Sequence, residues 1–385
     1  MFTKSKRKVP PRKFTRIKLV GFLISMLGLI YFLTNFHLPG QQIVYINVDE
    51  NGVKNIFLAD LNDPENPQQL TFHDEDVIDW SVASNGSIVT YRIEFLGEIL
   101  LLDLKTRQTV QITNCEIEGG SCNRFAMRSD GKFLAYLLFQ TTPSRKGEIY
   151  ITDLQNDTYL SQLIVEIDAQ YYGAHLHWIG NSNYVKYQLP YDPEFGESFK
   201  IYDIVNNRSI GPYPSGAEFW GVLFTDDGSC YTNIHCCGPF GFQVRDTRNP
   251  NHIFTTFHRR DSDSLHQITG IAHQEKWLAG SAYEWHPDNE TLLISILYNT
   301  ENPYFAYQSE LGLLNTTTNV VRQLTDAPFV VSIDATFNAD ATKILYQQVA
   351  VTEAECCYDQ IMIYDLETDE IIPLPIYGTN PRWVN

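Results

Sequence analysis

Helical periodicity is nearly absent from this chain of 385 residues outside one apolar run close to its start, which argues for an all-β fold. No Cys-x-x-Cys pair occurs, nor any Cys/His spacing of a zinc site. The seven cysteines (Cys115, Cys122, Cys230, Cys236, Cys237, Cys356 and Cys357) therefore read as disulfides or free thiols rather than metal ligands. No G-x-S-x-G elbow is present, so nucleophilic hydrolase chemistry has no motif to rest on. Basic residues are scarce, 28 against 46 acidic ones, and eight of them precede the first acidic residue, Asp49. Beyond those eight, 20 basic residues face 46 acidic ones, a formal charge of −26. A domain so acidic repels a phosphate backbone, which excludes nucleic acid as a partner and leaves basic proteins, cations and neutral ligands.

What is present near the start is an uncharged stretch, Leu19 to Phe36, about long enough to cross a bilayer core. Lys and Arg before it, and none just after, orient its N-terminal side to the cytoplasm. A cleaved signal peptide is the competing reading, but the run exceeds a usual h-region and no Ala-x-Ala site follows. The expected organisation is a basic cytoplasmic tail over 1–18, a transmembrane signal anchor over 19–36, a linker over 37–41 and one domain over 42–385. The membrane is then a partner through the N-terminal helix, and the domain is extracytoplasmic, periplasmic or at the cell surface. Cys115 and Cys122 bracket a short Glu/Gly-rich loop and could close it as a disulfide there. Cys236, Cys237, Cys356 and Cys357 are further disulfide candidates whose pairing the sequence leaves open.

The domain is 43% apolar and 13% aromatic over the whole chain, enough for a large core, and it repeats itself. One marker is a strand ending in Asp, at Asp60, Asp103, Asp153, Asp203, Asp246 and Asp365, with Asn315 as the amide equivalent. An Asp or Asn side chain there can bond backbone two residues on and open a turn. A second marker is an aromatic or apolar strand before a turn, at Trp80, Phe125, Trp178, Phe224, Trp285 and Phe337. Asn85-Gly86, Asp130-Gly131 and Asp227-Gly228 are hairpin signals, because tight hairpins need positive φ. A third is Gln-apolar-Thr, at Gln69 to Thr71, Gln111 to Thr113 and Gln323 to Thr325. Each unit supplies four short strands, the pattern of a propeller blade.

The Ser-Asp-Gly or Asp-Asp-Gly turn behind an aromatic strand, followed by IYITDL and QLT, resembles the TolB-type (WD-like) β-propeller repeat over nearly all of 42–385. It departs from that pattern at the fourth unit, where Gly-Asn-Ser-Asn stands at the turn, and at Asn315. The resemblance implies a seven-bladed β-propeller of four-stranded blades, preceded by one transmembrane helix. Trp383, at the end of the chain, would supply the innermost strand of the first blade and close the ring. Members of that family serve as protein-binding scaffolds, as subdomains of enzymes and as enzymes.

In such a ring the loops between blades, and those between second and third strands, share one face. They carry Cys115 to Cys122, His235 to Cys237, Glu353, Glu355, Cys356 and Cys357, and an insertion from His258 to Gly280. The candidate binding residues are His235, Arg259, Arg260, His266, His273, Glu353 and Glu355. No catalytic set and no cofactor is implied. The expected function is an extracytoplasmic binding scaffold for a protein or other ligand, and the domain is more plausibly not an enzyme. The alternative is a metal-dependent lyase or hydrolase at the channel mouth. Its ligands would be His175 and His177, whose i, i+2 spacing puts both imidazoles on one strand face. The tryptophans at equivalent blade positions read as core between blades.

Overall fold

The computed structural model describes residues 41–385 except 95, 116–119, 141–145, 157, 169–174, 190–197, 215–223, 226–229, 236–240, 247–252, 259–276, 300–306, 319, 327–329, 352–355 and 385. Among the described residues no helix occurs, and so none is long and apolar enough to cross a membrane. The run 19–36 lies outside them. Gln41–Asn385 forms one compact unit.

Its first sheet joins the two ends of that unit. Strand Gln42–Val48 lies between Lys54–Asp60 on one side and the C-terminal strand Thr379–Val384 on the other, with Asp63–Gln69 outermost. Ile43 stands opposite Trp383, and Val44 opposite Arg382. Three four-stranded antiparallel sheets follow, opening with Val77–Val82, Gly120–Met127 and Leu176–Trp178. A fifth sheet shows Cys230–His235, Gly241–Asp246 and Ile253–His258. Two further four-stranded runs, from Trp277–Trp285 and from Val330–Phe337, are linked by the single parallel pairing of Ser309 with Val331.

The core lies between successive sheets rather than in one centre. Alternate side chains of Gln42–Val48 serve two different interfaces, as the period-2 geometry of a strand requires. Val44 and Ile46 pack with Val77, Val89, Tyr91 and Leu102 of the second sheet. Ile43 and Tyr45 pack instead with Leu345, Ile361, Ile363 and Trp383. The last sheet is thereby pressed against the first. Middle strands are covered on both faces, which is why Phe133–Gln140 (FLAYLLFQ) reads as an unbroken apolar run. Each such aliphatic side chain, fully buried, contributes about 1.5–3 kcal/mol.

Two of the repeated motifs have direct physical causes here. In the Gln-apolar-Thr motif, the Gln111 Nε2 donates to the Thr113 carbonyl at 2.8 Å, and the Thr113 hydroxyl donates to Glu98 Oε2 at 2.6 Å. The same hydroxyl accepts the Ile99 amide at 2.8 Å. Thr71 does likewise with Asn55 and the Ile56 amide, and Thr325 with Glu310 and the Leu311 amide. Each threonine thus fastens an outer strand to its neighbour at a position that the ladder has left. The Asp markers behave as turn openers: Asp103 Oδ1 accepts the amides of Lys105 and Thr106, and those bonds hold its carboxyl below the usual range. Asn315 accepts from Thr317 and Thr318 in the same way, so the amide substitutes fully.

The insertion is shorter than the sequence suggested. His258 closes the strand Ile253–His258, and Trp277 to Gly280 open the strand Trp277–Trp285, because their backbone pairs with neighbouring strands. His235 likewise ends the strand Cys230–His235, paired with Gly241, and Cys356 and Cys357 begin Cys356–Asp365. These three were placed in loops from the sequence; strand pairing runs further toward the loops than the apolar pattern does.

Candidate functional site

Among the described residues, six that precede an aromatic marker wall the cavities at the centre of the candidate site. Asp79, Arg124, His177, Glu284, Thr336 and Arg382 stand immediately before Trp80, Phe125, Trp178, Trp285, Phe337 and Trp383, and all line cavities between the first strands. One cavity of about 540 Å3 is walled by Asp79, Trp80, Ser81, Arg124, His175, His177 and Arg382, among others. A second of about 540 Å3 is walled by Tyr283, Glu284, Thr336, Phe337 and Trp383. Val82, Ser129 and Arg382 border both, so the two adjoin.

The tryptophans also stitch sheet to sheet. The Trp178 indole donates to the Ala126 carbonyl at 2.8 Å, and Trp383 to that of Thr336 at 3.3 Å. Arg128 makes two 2.8 Å bonds to Asp130 and lies 4.4 Å over the Phe133 ring, next to Trp178. These contacts hold the channel walls at fixed spacing.

His175 and His177 do share a strand face, with ring centroids 6.4 Å apart. Burial lowers the His175 pKa, and Arg124 and Lys186 lower it further. His177 is pushed well below its usual value, again by burial first and then by Lys186 and His175. Both rings are therefore neutral at physiological pH. Lys186, buried, is register partner to His177 and sits 5.5 Å from the Phe199 ring centroid. No group of three His, Cys, Asp or Glu able to hold a metal occurs among the described residues.

The carboxylates of the channel are already engaged. Asp79 receives Arg92 at 2.6 Å. Glu284 accepts the Thr336 hydroxyl and the Phe337 amide at 2.9 and 2.7 Å. Arg382 donates to the main-chain carbonyls of Pro381 and Asp334. Asp334 has φ 54°, and burial raises its carboxyl above the usual range against the pull of Arg382.

Of the residues singled out on the loop face, Arg259, Arg260, His266, His273, Glu353 and Glu355 lie outside the described residues, as do Cys236 and Cys237. Cys115 and Cys122 are joined as a disulfide with Cα atoms 5.8 Å apart, between the end of the second sheet and the start of the third. Arg124 and Arg382 were not foreseen as site residues. Their signal was positional, one place before the aromatic marker.

No family model matches the chain, and no curated protein does. Solved structures do. The β-propeller domain of the Trilobed protease from Pyrococcus furiosus aligns with TM-score 0.50 and 15% identity, covering 79% of this chain and 84% of that one. The chain is a β-propeller. An oligogalacturonate lyase in complex with manganese gives TM-score 0.54 at 13% identity, over 82% of this chain and 87% of that one. TolB from Acinetobacter baumannii gives 0.47 at 14%, over 98% and 74%. Likenesses at such identities speak to the fold alone.

Proposed function

We propose that this chain is a membrane-tethered, extracytoplasmic propeller of seven TolB-like blades that works as a binding scaffold. The tether is the uncharged run Leu19 to Phe36 behind its basic flank. The disulfide between Cys115 and Cys122 supports a location where thiols oxidise. The observation that carries the binding reading is the channel. Its walls present guanidinium, indole, imidazole and hydroxyl groups from several sheets on a backbone fixed by ladders, while its carboxylates are occupied by neighbours. That is a preorganised recognition surface. The partner reached through the channel mouth and the adjoining loops is a protein or an envelope ligand.

The test is capture from cross-linked membranes with the full-length protein and with Ser129→Tyr, which fills the place where the cavities meet. A partner cross-linked to the first and lost from a folded second supports the reading. A partner bound equally by both, or none by either, rejects it.

The second reading is a metal-dependent lyase or hydrolase using His175 and His177. Their neutrality and shared face favour it. The flanking Arg124 and Lys186 disfavour a cation, and the pair gathers no third ligand among the described residues. Metal analysis of the purified protein, with His175→Ala and His177→Ala as controls, decides it.

A further inference from the structure

The geometry points to a site for a small multivalent anion, carboxylate or phosphate, in the cavity between Asp79, Arg124, His175 and Arg382. The inference rests on the binding reading and gives its ligand a chemistry. Arg124 lines this cavity and has no carboxylate partner among the described residues. Arg382 lines it too, and its hydrogen bonds go to main-chain carbonyls, which leave its charge uncompensated at the donor. The Asp334 carboxyl, which burial raises above its usual range, feels Arg382, but the hydrogen bond between the two residues goes to the Asp334 main chain. Asp79 is the one carboxylate among the described residues that wall the cavity, and Arg92 takes it at 2.6 Å.

This arrangement runs against the rest of the domain. Twenty basic residues are spread among 46 acidic ones, yet the walls of this cavity carry two arginines and a single aspartate that Arg92 already pairs. Two arginines on the walls of one cavity can serve a single anion, and guanidinium groups bind carboxylate and phosphate oxygens in pairs. His175 and His177 complete the device. An anion placed against them favours their protonated forms, so each can become an additional donor on binding. Trp80 and Trp178 on the same walls report occupancy through their fluorescence.

Titration calorimetry and indole fluorescence on the full-length protein in detergent, using citrate, inorganic phosphate and Mn2+ as separate probes, test the site. Saturable binding of citrate or phosphate is expected, weakened by added salt. It should fall about tenfold in Arg124→Gln, the loss of one charge-assisted contact. Ser81→Asp, which puts a like charge on the wall, should abolish it. Citrate alone names a carboxylate ligand and phosphate alone a phosphoryl one. No binding of either anion at millimolar concentration, binding that both variants leave unchanged, or saturable Mn2+ binding lost with His175→Gln would overturn the proposal. Anion binding without any captured partner would keep this site and discard the scaffold reading.

Discussion

Ile43 and Trp383 stand opposite each other on adjacent strands, so the first strand of the domain and the last belong to one sheet. The pair closes the ring: Trp383 packs with Ile43 and with Leu345, Ile361 and Ile363 of the preceding sheet, and its indole is bonded to Thr336. Trp383→Ala should therefore cost about 3–5 kcal/mol, the range for deleting a buried large side chain. Removing Arg382 to Asn385 should cost more, since Val384 and the strand pairing go with it. Urea unfolding of the three proteins checks this. Equal stability of wild type and truncation would mean that the ring does not depend on its C-terminal strand.

The threonine fastenings make a second prediction. Thr113→Val keeps the shape but leaves the Ile99 amide without its acceptor and removes a donor from Glu98. Thr71→Val does the same to the Ile56 amide and Asn55. Each should destabilise by about 1–3 kcal/mol, the cost of a buried polar group left unsatisfied. Hydrogen exchange should show faster opening at Ile99 or Ile56, with distant sheets unaffected.

Glycine at the turn is required for two separable reasons. Gly131 has φ 72°, and a Cβ there would meet the Ala83 Cβ of the neighbouring sheet at 2.9 Å. Gly52 has φ 84° with nothing within 4 Å. Gly52→Ala should lose only the backbone preference, about 1–2 kcal/mol. Gly131→Ala should lose more, because Ala83 must move as well. The difference in unfolding midpoints between the two variants measures the inter-sheet contact.

Most of the strand order was legible because its signals are local. The Asp turn at Asp103, the positive φ of Gly131 and the glutamine at 111 are each set within a few residues, though the contact of Gly131 with Ala83 is not. Glu98 and Asn55, the partners of the threonines, were not legible: the position takes a carboxylate in one sheet and an amide in another. The channel was half legible. His175 and His177 declared themselves by spacing, whereas Arg124 and Arg382 come from strands far apart in the chain and border one cavity only because the fold brings those strands together. Their one local signal, the place before the aromatic marker, is shared by Asp79 and Thr336, so it marks the position and not the charge.

The neutral histidines give the stability a pH dependence of known sign. In the unfolded chain each imidazole takes up its proton near pH 6.5, whereas burial holds His175 and His177 lower in the folded protein. Below about pH 6.5 the unfolded state binds more protons, so stability declines as pH falls toward the folded pKa values and then levels off. The other charged groups that face the pair are Arg124 and Lys186. Asp334 works in the opposite direction at lower pH, because its raised carboxyl lets the folded state take up its proton first. The denaturation midpoint should consequently drop as the pH falls below about 6.5. In His175→Gln/His177→Gln that drop should be smaller. A double variant with the same slope as the wild type would place the titrating groups elsewhere. Bound citrate or phosphate should flatten the wild-type slope, since an anion at the cavity stabilises the protonated rings that the empty site disfavours.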